Sequence, residues 1–489
     1  MSTSIAPPGA TPSGTQPRLG WVLTLLALAQ LIYGLDLNIV YVALPDIGAD
    51  LGFPGQTQQL VVSAYVVFAG GFLLLGGRAA DLLGRRRIFV LALALYAVSS
   101  LAGGLAGNSV VIIIARAVQG IGGALLLPST LALINTLFEE GPKRNRALAV
   151  WGGAGASGLT IGALLGGVLT ENLTWRSVFF VNVPLAGLVA LAALFVIPAD
   201  AARTGRRKFD LGGALTATAG VTLLVFGLVQ GPEIGWGDPV VLGAFAVALI
   251  MLAIFVVIEL RNDDPLMPFR LFRNRSLGVG ITVIFIYMGT FGVLPYFLTV
   301  LMQGVHGYTA LQTGLAFLIP SLAIATGTQL GERFTTRLGT RQTLLIGHVI
   351  AVVGTAALAL GFDADAGYPE LVAGLVISGV GQGIVWTAMW ITVATGTAAH
   401  EQGVANGIAS TSLNIGNAIG LALFTAIATA ATTASGTGQV ADATARADGQ
   451  FLVVILTAAG MMVGLLVSLL LRRMPGSAPA PVTAEARAG

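Results

Sequence analysis

Fourteen runs of about twenty apolar residues, separated by short loops of alternating charge, dominate this 489-residue chain. About twenty residues of helix are needed to cross roughly 30 Å of hydrocarbon. Because hydrocarbon offers no partner to a backbone N–H or C=O, only helices and closed barrels cross it. The runs are long and continuous rather than short and alternating, which selects a helical bundle over a barrel. They fall near residues 20–44, 58–78, 87–106, 109–137, 146–170, 175–198 and 210–230, then 239–260, 276–302, 309–331, 342–361, 369–396, 402–431 and 450–471. A composition of 55% apolar and 10% charged residues, with a mean hydropathy of +0.87, fits no soluble class.

Loop charge tests the count independently, because loops alternate between the two sides and cytoplasmic ones are enriched in Lys and Arg. One side receives Arg78, Arg85, Arg86, Arg87, Lys143, Arg144, Arg146, Arg203, Arg206, Arg207, Lys208, Arg261, Arg270, Arg333, Arg337 and Arg341. The other side carries mainly acids, among them Asp46, Asp50, Glu171, Glu233, Asp238 and Glu370. An invented or missed span would scramble this pattern. The expectation is an all-α protein of the bacterial inner (plasma) membrane, multi-pass, with both termini cytoplasmic and disordered tails at 1–18 and 474–489.

The same inventory excludes several classes. There is no cysteine, so disulfides, thiolate metal sites and cysteine nucleophiles are out, and His306, His348 and His400 lie too far apart to suggest a metal. The basic balance is topological and does not point to nucleic acid. Lys143 and Lys208 are the only lysines and neither closes a phosphate-cradling glycine loop. Gly153, Gly155 and Gly158 match G-x-G-x-x-G, but no strand precedes them and they sit in a lipid-length run. No cofactor, metal or catalytic constellation is expected, so the chain reads as a non-enzyme whose partners are lipid, protons and a small molecule, and as a monomer.

A repeat runs through the sequence, as in many secondary transporters. Asp81-Leu82-Leu83-Gly84-Arg85-Arg86 is echoed by Thr336-Arg337-Leu338-Gly339-Thr340-Arg341, and Gln119-Gly120-Ile121 by Gln382-Gly383-Ile384. Gly162 and Gly166 match Gly416 and Gly420. Two six-helix halves follow, at 19–200 and 261–473, with two inserted helices at 201–260 between them.

Ionisable groups inside spans are few. A charged side chain at the centre of a membrane helix costs about 2.5–3.5 kcal/mol on insertion scales, so one that is retained faces the bundle interior or a watery cavity. Asp36 and Arg116 are the clearest. Asp36 is the candidate proton carrier, against the alternative that it bonds a neighbouring helix or a cationic substrate. Arg116 does not deprotonate and serves to bias a nearby acid or to reorganise local water, or else as a structural ion pair. Gly77, Asp81, Gly84, Arg85 and Arg86 lie where two spans meet the cytoplasm, and read as a conformational latch or as a topogenic charge cluster. Gly158, Gly162, Gly166 and Gly167 permit close helix approach, for sealing or for plain packing. Candidate substrate contacts are Gln119, Trp386, Trp390, Asn414 and Asn417; interfacial anchoring and helix glue are the alternatives.

The run Gly77-Arg-Ala-Ala-Asp81-Leu-Leu-Gly84-Arg-Arg-Arg87 resembles the loop motif of the major facilitator superfamily, with Ala79 and Leu82 in place of the usual Leu and Arg. Leu35 to Pro45, the glycine run Gly158 to Gly167 (with Ala163 where Pro is usual) and Trp175-Arg176-x-x-Phe179-x-x-Asn182-x-Pro184 resemble three stretches of that superfamily's fourteen-span drug:proton antiporter branch. The resemblance extends over nearly the whole chain. It implies a proton-coupled antiporter that exports small amphipathic or cationic drugs or toxic metabolites by alternating access. A proton-coupled symporter on the same fold, or a non-transporting membrane receptor, is the competing expectation.

Overall fold

The structure is a computed structural model and describes residues 19–53, 60–200, 210–262, 265, 267–362, 366–434 and 443–471. The expected tails at 1–18 and 474–489 lie outside the described residues, as does the loop 201–209 with its four basic residues. No strand occurs among the described residues, and fourteen helices are long and apolar enough to cross a membrane. They are α1 (Leu19–Asp50), α2 (Leu60–Leu83), α3 (Arg85–Gly104), α4 (Ser109–Leu137), α5 (Pro142–Asn172), α6 (Ser177–Val196) and α7 (Leu211–Ile234). The remainder are α8 (Pro239–Arg261), α9 (Arg275–Gln303), α10 (Gln312–Leu338), α11 (Thr340–Ala359), α12 (Tyr368–Ala394), α13 (Gln402–Ala434) and α14 (Ala443–Ser468).

Prolines explain where these helices bend. A proline inside a helix removes one i→i−4 bond and crowds the preceding turn. Accordingly α6 is broken at Val181, ahead of Pro184, and α9 changes to a 3₁₀ turn over Phe291–Val293, ahead of Pro295. The N-terminal turn of α10 ends at Ala316, ahead of Pro320. Pro128 does not break its helix, and α4 continues through it. The carbonyl of Ala124, which Pro128 leaves without a helical donor, faces the bare backbone of Gly76 in α2. Helix starts are capped by side chains: Asn108 accepts from Val111 N at 2.9 Å, Asp210 from Gly213 N at 2.8 Å, and Thr309 and Gln312 form a reciprocal pair.

The packing is pseudo-symmetric. In the first half α1 packs on α5, α2 on α4, and α3 on α4 and α6; in the second α9 packs on α13, α10 on α12, and α11 on α12 and α14. The halves meet through α2 against α13 and α5 against α10. The inserted helices α7 and α8 pair with each other, and α7 leans on α2 and α13. The repeat extends to backbone detail, since Gly84 and Gly339, which match in sequence, both take positive φ, 109° and 84°, a region that favours glycine.

Candidate functional site

The glycines of α5 place α1. Gly158, Gly162 and Gly166 each sit against a backbone carbonyl of α1, those of Leu31, Leu35 and Ile39, so both helices advance in four-residue steps along one seam. A Cβ at any of the three would enter that seam, which is the small-residue packing expected where lipid provides no hydrophobic drive between helices. The stripe therefore faces α1 within its own half, and Gly167, half-exposed, lies off it. On the other face of α5, Gly152 and Gly153 meet Trp386 and Thr328 of the second half.

With α1 fixed in this way, Asp36 is fully buried at the centre of a polar cluster drawn from five helices. Arg116 Nη1 donates to Asp36 Oδ2 at 2.7 Å, with the two side chains 1% and 0% exposed. Gln119 Nε2 and Asn182 Nδ2 donate to Oδ1 at 2.8 and 3.0 Å, and Tyr96 OH lies 3.4 Å from Oδ2. Arg116 is held in turn by Val61 O at 3.2 Å and Gln119 Oε1 at 2.8 Å, and its guanidinium stacks 4.4 Å above the Tyr65 ring. Gln119 also reaches Ser100 Oγ at 3.0 Å, and the Tyr65 and Tyr96 hydroxyls are 2.8 Å apart. Four donors occupy the carboxylate, which has about four acceptor sites. It has no free lone pair for a large ligand.

The sequence motif that opens α6 binds α1 in two places. Trp175 Nε1 and Arg176 Nη1 both reach Asp50 Oδ2, at 3.0 and 2.7 Å, and Arg176 lies 4.3 Å over the Trp175 ring. Arg176 and Trp175 hold the Asp50 carboxyl below its ordinary 3.8. Seven residues after Trp175, Asn182 reaches Asp36. Phe179 fills the space that a side chain at Gly103 would need.

At the end of the bundle that carries the basic loops, side chains of each half reach the other. Asp81 Oδ2 accepts from Val404 N at 2.9 Å, capping the start of α13 where the helix dipole favours an anion. Arg85 joins Asp81 Oδ1 at 3.2 Å and donates to the carbonyl of Ala399, also in the second half. Gly77 meets the backbone of Gly403 and Gly407. Asn135 donates to Gln402 Oε1 at 3.0 Å and Asn145 to Thr336 Oγ1 at 3.1 Å, two further bonds between the halves at this end. Asp200, not singled out in the sequence, accepts from Arg86 N and Arg87 N at 3.1 and 3.2 Å and caps α3, while Arg86 reaches the carbonyl of Leu194. Gly84 is thus required twice, for its φ and because a Cβ would strike the Asp200 carboxylate.

The five candidate substrate residues separate. Gln119 belongs to the Asp36 cluster. Asn414 bonds Ser410 O of its own helix at 3.0 Å and lies against Gly70 of α2, and Asn417 lies against Gly292 of α9. Trp386 and Trp390 do come together, and the sequence reading missed their third member. Trp151 of α5 stacks on Trp386 with centroids 6.2 Å apart and meets Trp390 edge-on at 5.6 Å. A tryptophan well inside a span, away from the interfacial belt, was the available signal.

The Major Facilitator Superfamily profile matches residues 26–421. The chain belongs to the Major Facilitator Superfamily. Among superfamily members it is 37% identical over 405 residues to the puromycin resistance protein pur8 of Streptomyces alboniger, covering 82% of this chain and 80% of that one. It is 38% identical over 416 residues to the cephamycin export protein CmcT of Amycolatopsis lactamdurans, covering 83% and 84%. With the tetracenomycin C resistance and export protein of Streptomyces glaucescens it shares 31% over 402 residues, 82% of this chain and 74% of the other. Among solved superfamily structures, the human organic anion transporter MFSD10 (TETRAN) superposes with a TM-score of 0.66 at 19% identity, covering 93% of this chain and all of that one. The proton:xylose symporter XylE superposes at 0.64 with 14% identity, covering 91% and 94%. These two likenesses concern the fold. The chain is a multi-pass membrane protein of a transporter family whose relatives are named for antibiotic resistance and export.

Proposed function

We propose that this protein is a proton-coupled antiporter of the bacterial cytoplasmic membrane, that it exports small amphipathic compounds by alternating access, and that Asp36 carries the proton. The observation that carries the reading is the buried Asp36–Arg116 pair at 2.7 Å, surrounded by neutral donors and confined to one half. The relatives named for resistance and export support the direction of transport.

The mechanism follows from charge. Proton entry to Asp36 removes the anion opposite Arg116, and breaking a buried pair from one side costs about 3–5 kcal/mol. One charge moved through 100 mV supplies about 2.3 kcal/mol, with any pH gradient added, so cost and drive are of the same order. The loss disturbs α1, α4 and α6 together, because Arg116, Gln119 and Asn182 all hold the same carboxylate. The basic end is assigned to the cytoplasm by its Lys and Arg content, and the latch of Asp81 on α13 closes that face until substrate and proton exchange. No cofactor or metal enters the cycle, and the chain works as a monomer with the lipid bilayer as its surroundings.

The test is drug accumulation in an efflux-deficient bacterium. Cells expressing the wild type should accumulate less puromycin or less of a hydrophobic cationic dye than empty-vector cells, and a protonophore or Asp36→Asn should abolish the difference. Accumulation that the wild type raises instead would indicate a symporter.

A further inference from the structure

We infer that the inserted helices α7 and α8, with the segment 267–274 that follows them, form a strap that rides on the first half and holds the basic end of the bundle closed by docking on the second. The inference goes beyond the export reading by giving the inserted pair a role. It rests on the halves parting at the basic end, and on neither proton coupling nor a substrate.

The pair is built as one rigid body. On α7, Gly213, Gly220 and Gly227 recur every seven residues, and the space beside each is filled from α8 by Glu259, Leu252 and Phe245, which are also seven apart. A seven-residue repeat met by the same repeat running the other way is the seam of an antiparallel coiled pair. Trp236, in the turn between the two helices, stacks on Phe245 with centroids 6.4 Å apart.

This body is fixed to the first half. Gly70 and Gly71 of α2 lie against Val225 and Thr222 of α7, close enough that a Cβ on Gly71 would crowd the backbone of Thr222 as well as its side chain. Val67 of α2 shares an apolar cluster with Val221 and Val225. Helix α7 also touches α13, whose Ile415 packs against the same cluster. No glycine of α13 brings it as close: Gly403, Gly407, Gly416 and Gly420 meet α2 and α9, and none of them meets α7. When α2 and α13 separate, the close glycine contact keeps α7 on α2, and the contact with α13 gives way.

The exit from the pair is tied to the other half. Glu259, 4% exposed near the end of α8, accepts from Met267 N at 2.9 Å. From there Pro268-Phe-Arg-Leu-Phe-Arg-Asn274 makes a 3₁₀ turn over Phe269–Arg273 with Leu271 buried. Arg270 pairs with Glu401, and Asn274 Nδ2 donates to Thr395 O at 3.1 Å, so the segment is docked between the end of α12 and the start of α13. Glu401 lies three residues before Val404, the residue whose N–H Asp81 accepts. Parting of the halves here therefore pulls on two links in series, Glu259 with Met267 and Arg270 with Glu401.

The test reads the seam on the opposite side. The chain has no cysteine, so Arg146→Cys and Arg337→Cys place two spin labels next to the Asn145–Thr336 bond, on α5 and α10, which carry no strap residue. Distances are measured on the purified full-length protein in lipid nanodiscs, at one pH and without substrate, so failure of the antiport reading leaves this test standing. Links in series release the whole strap when either is cut, and the weaker link, an ion pair with an exposed arginine, sets the size of the effect. Arg270→Ala, Glu401→Gln and Glu259→Leu should each raise the open-to-closed ratio by the same factor, about 2- to 5-fold. Arg270→Ala combined with Glu259→Leu should raise it no further, since independent ties would multiply. An unmoved distance distribution in any of the three single variants, or a double variant whose shift is the product of the two, would overturn the inference. If Glu259→Leu does not elute as a single folded species, Met267→Pro takes its place, removing the N–H donor and leaving the carboxylate.

Discussion

Asn182 Nδ2 donates to Asp36 Oδ1 at 3.0 Å, joining the broken start of α6 to the middle of α1 across 146 positions of sequence. The same segment grips Asp50 through Trp175 and Arg176. One sequence motif therefore positions the coupling carboxylate and anchors the far end of the helix that bears it. Asn182→Leu removes one of four donors without adding a charge. Its proton-driven export should fall about 10- to 100-fold, as for a lost hydrogen bond to a charged group. The pH profile of transport should change with it, because the carboxylate has lost a donor. Transport against external pH in inverted vesicles checks both; a lower rate with an unmoved profile would make Asn182 purely structural.

Asp81 caps α13 across the seam between the halves, and a cap of this kind is worth about 1 kcal/mol. Asp81→Ala should open the basic end in a larger fraction of molecules, roughly 5-fold in the equilibrium constant. The chain has no cysteine, so spin labels on Leu83→Cys and Ala398→Cys report this distance alone. A distance distribution that does not broaden toward longer values in Asp81→Ala would remove the latch.

Gly162 and Gly167 differ in one respect that predicts opposite outcomes. Gly162 faces the carbonyl of Leu35, and Gly167 is half-exposed off the seam. Gly162→Leu should displace α1, cost about 1–3 kcal/mol as overpacking does, and lower the thermal unfolding midpoint in detergent. Gly167→Ala should unfold within a degree or two of wild type.

The Asp50 clamp carries a pH signature of its own. Arg176 and Trp175 hold the carboxyl below 3.8. For a depressed carboxylate the stability it contributes is present above the unfolded value and lost as pH falls through the folded one. Between pH 5 and 8 the clamp is therefore constant. Asp50→Asn should lower thermal stability by a similar amount at pH 5 and pH 8 and leave the pH profile of transport unmoved.

The span count was legible because it rests on a one-dimensional property, apolar length. The repeat was legible too, and Gly84 with Gly339 shows why: a positive φ is a demand that one residue type meets best. Asp36 and Arg116 stood out as lone charges in apolar runs. That they form one pair did not stand out, since nothing in 80 intervening positions signals it. Asn182 was visible only as a letter in a motif, and Asp200 looked like an ordinary loop acid. Gln119 reads equally well as a cavity residue until Asp36 is seen beside it. Trp151 gains meaning only once α5 and α12 are brought together, which is a property of the packing and not of any one segment.

Substrate-dependent proton release from liposomes is the most direct test of the coupling assignment. Protein is reconstituted with a pH-sensitive dye inside, a proton gradient is imposed, and rhodamine 123 or puromycin is added to wild type, Asp36→Asn and Arg116→Gln. The account predicts proton movement on substrate addition in the wild type and none in Asp36→Asn, with Arg116→Gln impaired at least 10-fold, in keeping with an uncompensated buried carboxylate. Equal exchange by wild type and Asp36→Asn would contradict it, and would leave the buried pair as a structural tie between α1 and α4.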